Sequence, residues 1–265
     1  MGGFAILTIN KSASRAIEIL NILAASPKPL TQLEIGQALD IPKSSTYDLI
    51  YTLLEAGMVE FDSKELKTFR LGLKMFELGM SVLEKIDFHK MSRSFLEELS
   101  VKTSETVFMA IEEKGTIVYL DRVEKNSSIT TSAGLGIRRP MYCTGLGKAL
   151  LAAYPVERVQ EIWNRNTDKI AYTPATILEL DKLLEDLSLT RERGYAIDNR
   201  EMEDEIFCVA APVYDRTEKP VAAISIASIY LKMDTAKTEL FGKMITNAAL
   251  EISKRLGFRR IRLFF

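Results

Sequence analysis

The chain has 265 residues, of which 47% are hydrophobic and 27% charged, the balance of a folded globular protein with length enough for two ordinary domains. Two cysteines (Cys143 and Cys208) and one histidine (His89) exclude a disulfide framework and an intrachain His/Cys zinc finger, and leave little for Cys-His or Ser-His catalysis. The net charge of −1 gives no bulk attraction for nucleic acid, so any claim of DNA binding rests on local pattern.

No apolar run approaches the ~18 residues that span a bilayer. The N-terminal apolar stretch is short and lacks a preceding basic region, which reads against a signal peptide, and the expected compartment is the cytoplasm. The first helix is expected over 12–25, with Ile17, Leu20, Leu23 and Ala24 at helical spacing and Ser12 or Ser14 as its cap; Pro27 and Pro29 stop it. Thr31-Gln32-Leu33-Glu34 is a capping box opening a second helix to about Leu39, with Leu33, Ala38 and Leu39 facing inward. After Pro42 a third helix runs from about Ser44 to Ala56 on a stripe of Leu49, Ile50, Leu53 and Leu54, ended by Gly57. Two β-prone pieces, 58–61 and 68–71, flank the polar loop 62–67 and form a hairpin. Helix, helix, turn, helix, hairpin is the order of a winged helix-turn-helix.

Residues 74–101 predict a long helical stretch broken near Asp87-Phe88, a spacer and dimerisation element. Beyond Thr103 the pattern changes to β: 106–113 and 116–123 as a hairpin, then a strand over 128–136. A Gly-rich segment, 143–148, leads into a helix; 155–163 and 177–193 are helical, with Gly194 as cap; 207–215 and 221–228 form a second hairpin; and an amphipathic helix closes the chain over 234–256. The fold class is therefore α+β, with an antiparallel sheet in the second domain. The domains divide as 1–73 for the winged helix-turn-helix, 74–88 for a linker helix, 89–258 for an α+β sensor domain and 259–265 for a C-terminal extension or tail.

In a helix-turn-helix the N-terminal residues of the second motif helix enter the major groove. Here they are Lys43, Ser44, Ser45, Thr46 and Tyr47, small hydroxyls for bases or phosphates beside one phosphate-binding cation. Arg15 on the first helix and Lys64, Lys67 and Arg70 on the wing are placed to straddle the backbone. The same pattern is compatible with a plain three-helix packing module, because residues 1–74 carry eight basic and eight acidic residues. In the second domain, Gly145-Leu146-Gly147 before a helix either leaves backbone N–H groups for an anion or permits close strand-to-helix packing.

The blocks SASRAIEILNILA, LTQLEIGQALDIPKSSTYDLIYTLLEAGMV and FRLGLKMFELG, followed by MYCTGLGKALLA and RERGYAIDNREMEDEIFCVAAPVYDRTEKPVAAISIAS, resemble the IclR (isocitrate lyase regulator) family over roughly residues 10–257. The resemblance implies a GAF-like effector domain and dimers or dimers of dimers. It further implies a double-stranded DNA operator, and a small effector such as a sugar acid, aromatic acid or other organic acid. It implies that Gly145 and Leu146 face the ligand's carboxylate, with Asp198, Cys208 and Ser225 lining the rest of the pocket. Ala227 stands where relatives often carry another Ser or Gly. Leu135, Ile137 and Met141 are apolar walls or core. No catalytic residue, cofactor, metal or membrane partner is expected. Two other readings stand beside it: an enzyme with Cys143 or Cys208 as nucleophile, and a scaffold that binds protein.

Overall fold

A computed structural model describes residues 10–84, 87–124, 133–166 and 168–264. The chain divides into two compact units, 1–85 and 86–265. The first begins with α1 (Lys11–Ala25), capped by the Asn10 carboxamide, which accepts from the Ser12 and Ala13 N–H groups. Asn10, one turn ahead of the expected serines, therefore fixes the start of α1. A short strand β1 (Leu30–Thr31) precedes α2 (Gln32–Ala38), and the expected capping box is present in both directions, Thr31 to Glu34 and back. Helix α3 (Lys43–Glu55) follows, and β2 (Val59–Ser63) and β3 (Thr68–Leu71) form the wing. β1 pairs with β3 to make a three-stranded antiparallel sheet. Two residues carry no periodicity, which is why sequence gave no sign of β1.

The core of this unit is Ile19, Leu23, Ile35, Ile50, Leu53, Val59 and Phe69. Ile17 and Leu33, expected inside, are exposed. Each lies two residues before the isoleucine that is buried, Ile19 and Ile35, about 200° away on the helix. Gly57 takes φ +69°, the left-handed conformation a C′ residue needs. Helix α4 (Leu73–Glu84) ends the unit.

The second unit starts at α5 (Asp87–Thr103). Its sheet comprises β4 (Thr106–Glu113), β5 (Thr116–Val123), β6 (Arg138–Pro140), β7 (Ala196–Asn199), β8 (Ile206–Tyr214) and β9 (Pro220–Ile229). The six strands run in the order β6-β5-β4-β9-β8-β7, every pair antiparallel. Most of the strand expected over 128–136 lies outside the described residues; Gly134–Gly136 form a turn and the strand begins at Arg138. β7 was absent from the sequence reading because Ala-Ile-Asp-Asn carries only one strong strand former.

Alternation along the strands separates two faces. Ala110, Ala210, Ala223 and Ala227 face α6 (Gly145–Ala153), α7 (Val156–Arg165) and α8 (Leu180–Arg193). Met109, Val209, Ala211, Ile224 and Ile226 face α5 and α9 (Thr235–Arg255). A bulge in β5 opposite Met109 and Ala110 breaks the alternation there, so Tyr119 joins the first face while Asp121 turns to meet α5. Residues 258–264 also belong to this unit. Phe258 stacks on Tyr214 at 4.9 Å, Leu263 is buried and Arg260 pairs with Glu218. The C-terminal extension is thus docked on its own domain.

Candidate functional site

Helix α3 begins at Lys43 after Pro42, a residue that fixes the entry angle but offers no side-chain cap. The first N–H groups of α3 are therefore available to a phosphate oxygen. Lys43, Ser44 and Tyr47 are exposed and Ser45 is half-buried. Tyr47 stacks on Tyr51 with ring centroids 4.1 Å apart, which holds its ring on the outer face of the helix. Thr46 is placed differently. It is fully buried, and its hydroxyl donates within the turn, with the Ile41 and Pro42 carbonyls at 3.3 and 3.0 Å. The expectation that Thr46 reads DNA is corrected: Thr46 faces α2, where a Cβ on Gly36 would stand 3.0 Å from its Oγ1. The periodicity of α3 already contained this, since Thr46, Ile50 and Leu53 share one face.

Lys64 and Lys67 are exposed in the wing turn, Lys67 with φ +50°. Arg70 is also on the wing, but its guanidinium meets Glu60 at 2.8 Å and Asp62 at 3.6 Å, so its charge is already opposed. Arg15 is half-buried on α1.

In the second unit all five expected pocket residues line one cavity of about 430 Å³, mouth included. Strand register assembles its floor. Asp198 on β7 lies opposite Cys208 on β8, Cys208 opposite Ala227 on β9, and Ser225 on β9 opposite Phe108 on β4. The N-terminus of α6 comes down on this floor, with the Gly145 Cα so near that a Cβ would stand 3.2 Å from that of Cys208. Thr144 caps α6 by accepting from the Gly147 N–H. Gly147 itself lines nothing: a Cβ there would lie 2.3 Å from the Met141 Cα, so this glycine serves close packing. Close packing holds for both glycines of the segment, and Gly145 in addition lines the cavity.

Phe108, Tyr119, Ala133, Met202 and Ile206 supply the cavity's apolar walls and Thr144 and Glu203 further polar groups. None of these was singled out from sequence. Tyr119 and Phe108 had one available signal, aromatic residues within a predicted hairpin. Of the three apolar residues read as walls or core, Met141 is core, Leu135 is exposed, and Ile137 is absent from the lining.

Behind the floor lies a buried ion network. Lys148 on α6 has its ammonium 2.5 Å from Glu201 and 3.0 Å from Asp186, and Asp186 also stands 3.6 Å from Arg193. Burial opposes the Lys148 charge, but Glu201 and Asp186 outweigh it and its pKa is raised. Asp198 accepts from the Glu201 N–H at 2.8 Å, which closes the turn after β7. Burial, and then the Glu201 charge, push the Asp198 carboxyl up to about 7. Burial also pushes both thiols, Cys143 and Cys208, well above their ordinary range, and the nearby carboxylates add to this. Neither thiol is set up as a thiolate nucleophile. The single histidine pairs instead with Asp121, at 3.2 Å.

Residues 12–63 match the IclR helix-turn-helix domain, and residues 80–254 match the bacterial transcriptional regulator IclR C-terminal domain. The chain belongs to the IclR family. Relatives match it along nearly their whole length. The transcriptional repressor IclR of Escherichia coli is 31% identical over 252 residues, covering 94% of this chain and 91% of that one. The E. coli HTH-type transcriptional regulator XynR is 29% identical over 252 residues, covering 95% and 99%. The crystal structure of Thermotoga maritima IclR superposes with a TM-score of 0.79 at 31% identity, over 93% of this chain and 99% of that one. These relatives are transcriptional regulators, and this IclR-family chain is a helix-turn-helix regulator of transcription, not an enzyme. The first unit is the helix-turn-helix through which it meets operator DNA. Among the described residues no helix is long and apolar enough to cross a membrane.

Proposed function

We propose that this IclR-family chain is a cytoplasmic repressor of a catabolic operon, released from or fixed on its operator by a small carboxylate held between α6 and the sheet. The observation that carries this reading is the convergence of Gly145, Leu146, Asp198, Cys208 and Ser225, four separate stretches of chain, on one cavity at a helix N-terminus. Thr144 occupies the Gly147 N–H, and the two residues before it in α6, Gly145 and Leu146, line the cavity and carry the N–H groups an anion would meet. Helix N–H groups with the positive end of the helix dipole suit an anion. Ser225 adds a hydroxyl that can donate to it.

On the DNA side the contacts are Lys43, Ser44, Ser45 and Tyr47 in the groove, with Arg15, Lys64, Lys67 and a charge-compensated Arg70 on the backbone. One neutral unit is a weak grip, so two copies on a symmetric operator supply the affinity. Helix α4 exposes Leu73, Phe76 and Met80 on one face, the face for a second copy.

The test is a thermal-shift screen of small organic acids, followed by operator titrations with Ser225→Ala. A true ligand at ~100 times its Kd adds ~2.7 kcal/mol. Ser225→Ala is expected to blunt the ligand response and leave DNA affinity intact. An unaltered response refutes the pocket, and a screen with no hit favours a protein-binding sensor.

A further inference from the structure

The ion network beside the cavity is balanced without Asp198. Lys148 and Arg193 face Asp186 and Glu201, two cations against two carboxylates. Asp198 is a third carboxyl, almost entirely buried, and the contacts it makes are to backbone N–H groups of the turn at Glu201 and Met202. Among the described residues lining the cavity there is no Lys, Arg or His. The titratable groups packed around Asp198 come from every side. They are Lys148 of α6 with Cys143 ahead of it, Glu201 of the turn after β7, Tyr119 of β5 and Cys208 of β8; beyond them Asp186 of α8 acts on Lys148, Arg139 of β6 on Tyr119 and Glu203 on Cys208.

An anion entering beside an ionised Asp198 would place two like charges in one dry pocket, each disfavouring the other. We propose that Asp198 stands in the free protein as an uncharged carboxylic acid whose O–H is offered to the ligand, so that an anionic effector and one proton occupy the pocket together. This rests on the carboxylate reading of the pocket and sharpens it: the ligand must present an acceptor to Asp198, and ammonium or purely donor groups are rejected. Asp198 and Glu201 are close enough to titrate as a pair, holding one proton between them. Lys148 decides where it resides. Burial raises Glu201 as well, but the ammonium sits on Glu201 and favours its charged form, so the proton goes to Asp198. Lys148 is a positioning residue, acting on the ligand only through the proton it confines to Asp198.

Infrared difference spectroscopy of the full chain reads this without a ligand. The expected result is a C=O band of a buried carboxylic acid at pH 6 that is lost in Asp198→Asn and titrates away as pH rises through about 7. Glu201→Gln, which removes the neighbouring negative charge, should move that titration to lower pH, and it serves if Asp198→Asn fails to fold. A band absent at pH 6, or one that survives Asp198→Asn, overturns the proposal. Calorimetry with pyruvate, acetate and benzoate tests the ligand half. Binding at pH 8 should take up about one proton, and affinity should fall ~10-fold per pH unit above the midpoint. Binding with no proton uptake at pH 8 overturns the joint occupancy. A chain that shows the band but binds none of the three acids upholds the acid form of Asp198 and refutes the carboxylate ligand.

Discussion

Single residues of one kind do opposite work in the two units, and burial decides which. Glu34 and Asp198 are both carboxyls beside a turn. Glu34 is only half-buried, and its pKa is lowered from 4.5 to about 2 by the Thr31 N–H it accepts from, then by Lys28 and the Thr31 hydroxyl. Its contribution to stability is complete above the unfolded value and is lost as pH falls toward about 2. Asp198 is raised from 3.8 to about 7, so the folded state holds a proton the unfolded chain releases, and stability drains as pH rises across that interval. Thermal denaturation across pH should show both slopes. Glu34→Gln should flatten the acid-side loss and Asp198→Asn the loss toward neutrality. Thr46 gives a third residue-level outcome. Thr46→Val should cost about 1–2 kcal/mol by leaving the Ile41 carbonyl short of a partner, yet leave the selected operator sequence unchanged, because the hydroxyl never reaches the groove. A changed sequence preference would restore Thr46 to the DNA contacts.

Elements were legible where a local signal was strong. The Thr31–Glu34 box, the proline before α3, the Gly57 and Gly194 caps and the two long hairpins of the second unit all stand where the sequence puts them. Removing the first of these with Thr31→Ala should cost about 1 kcal/mol. What sequence missed has a physical reason in each case. β1 and β7 are too short or too polar to carry a period; each is held by its partner strand, β1 by the distant β3 and β7 by the β8 that follows it. The inward faces of α1 and α2 were misjudged because Ile17 and Leu33 are as apolar as the Ile19 and Ile35 that are buried. The site divides the same way. Its five expected residues came from motif resemblance and share one cavity, whereas Tyr119 enters only through a bulge that no periodicity announces. Lys148 sits in an Ala/Leu-rich helix, and a lysine in that setting is itself a sign of burial with a partner. Helix α4 carries the remaining element-scale outcome. Phe76→Glu should shift the chain toward monomer in sedimentation and weaken operator binding together; an unchanged mass would exclude this face from assembly.

At the scale of the whole molecule, electrostatics explain why the chain does not look like a DNA-binding protein. Acidic and basic residues balance over residues 1–74, and Arg70 on the wing spends its charge on Glu60 and Asp62. Recognition then falls to the N-terminus of α3, to a few exposed lysines and to symmetry. Such binding should fall steeply with salt, but less than for a module that neutralises many phosphates per copy. The second unit is just as balanced around its ion network until a ligand enters, which makes the cavity a place where one added charge matters. The measurement that tests this account most directly is selection of DNA from a random pool by the full chain, with footprinting of the enriched sequence by wild type and Ser45→Glu. The account predicts an inverted repeat protected by wild type and unprotected by the folded variant, whose carboxylate faces the phosphates. Equal protection by both proteins, or no enriched sequence at all, would contradict it.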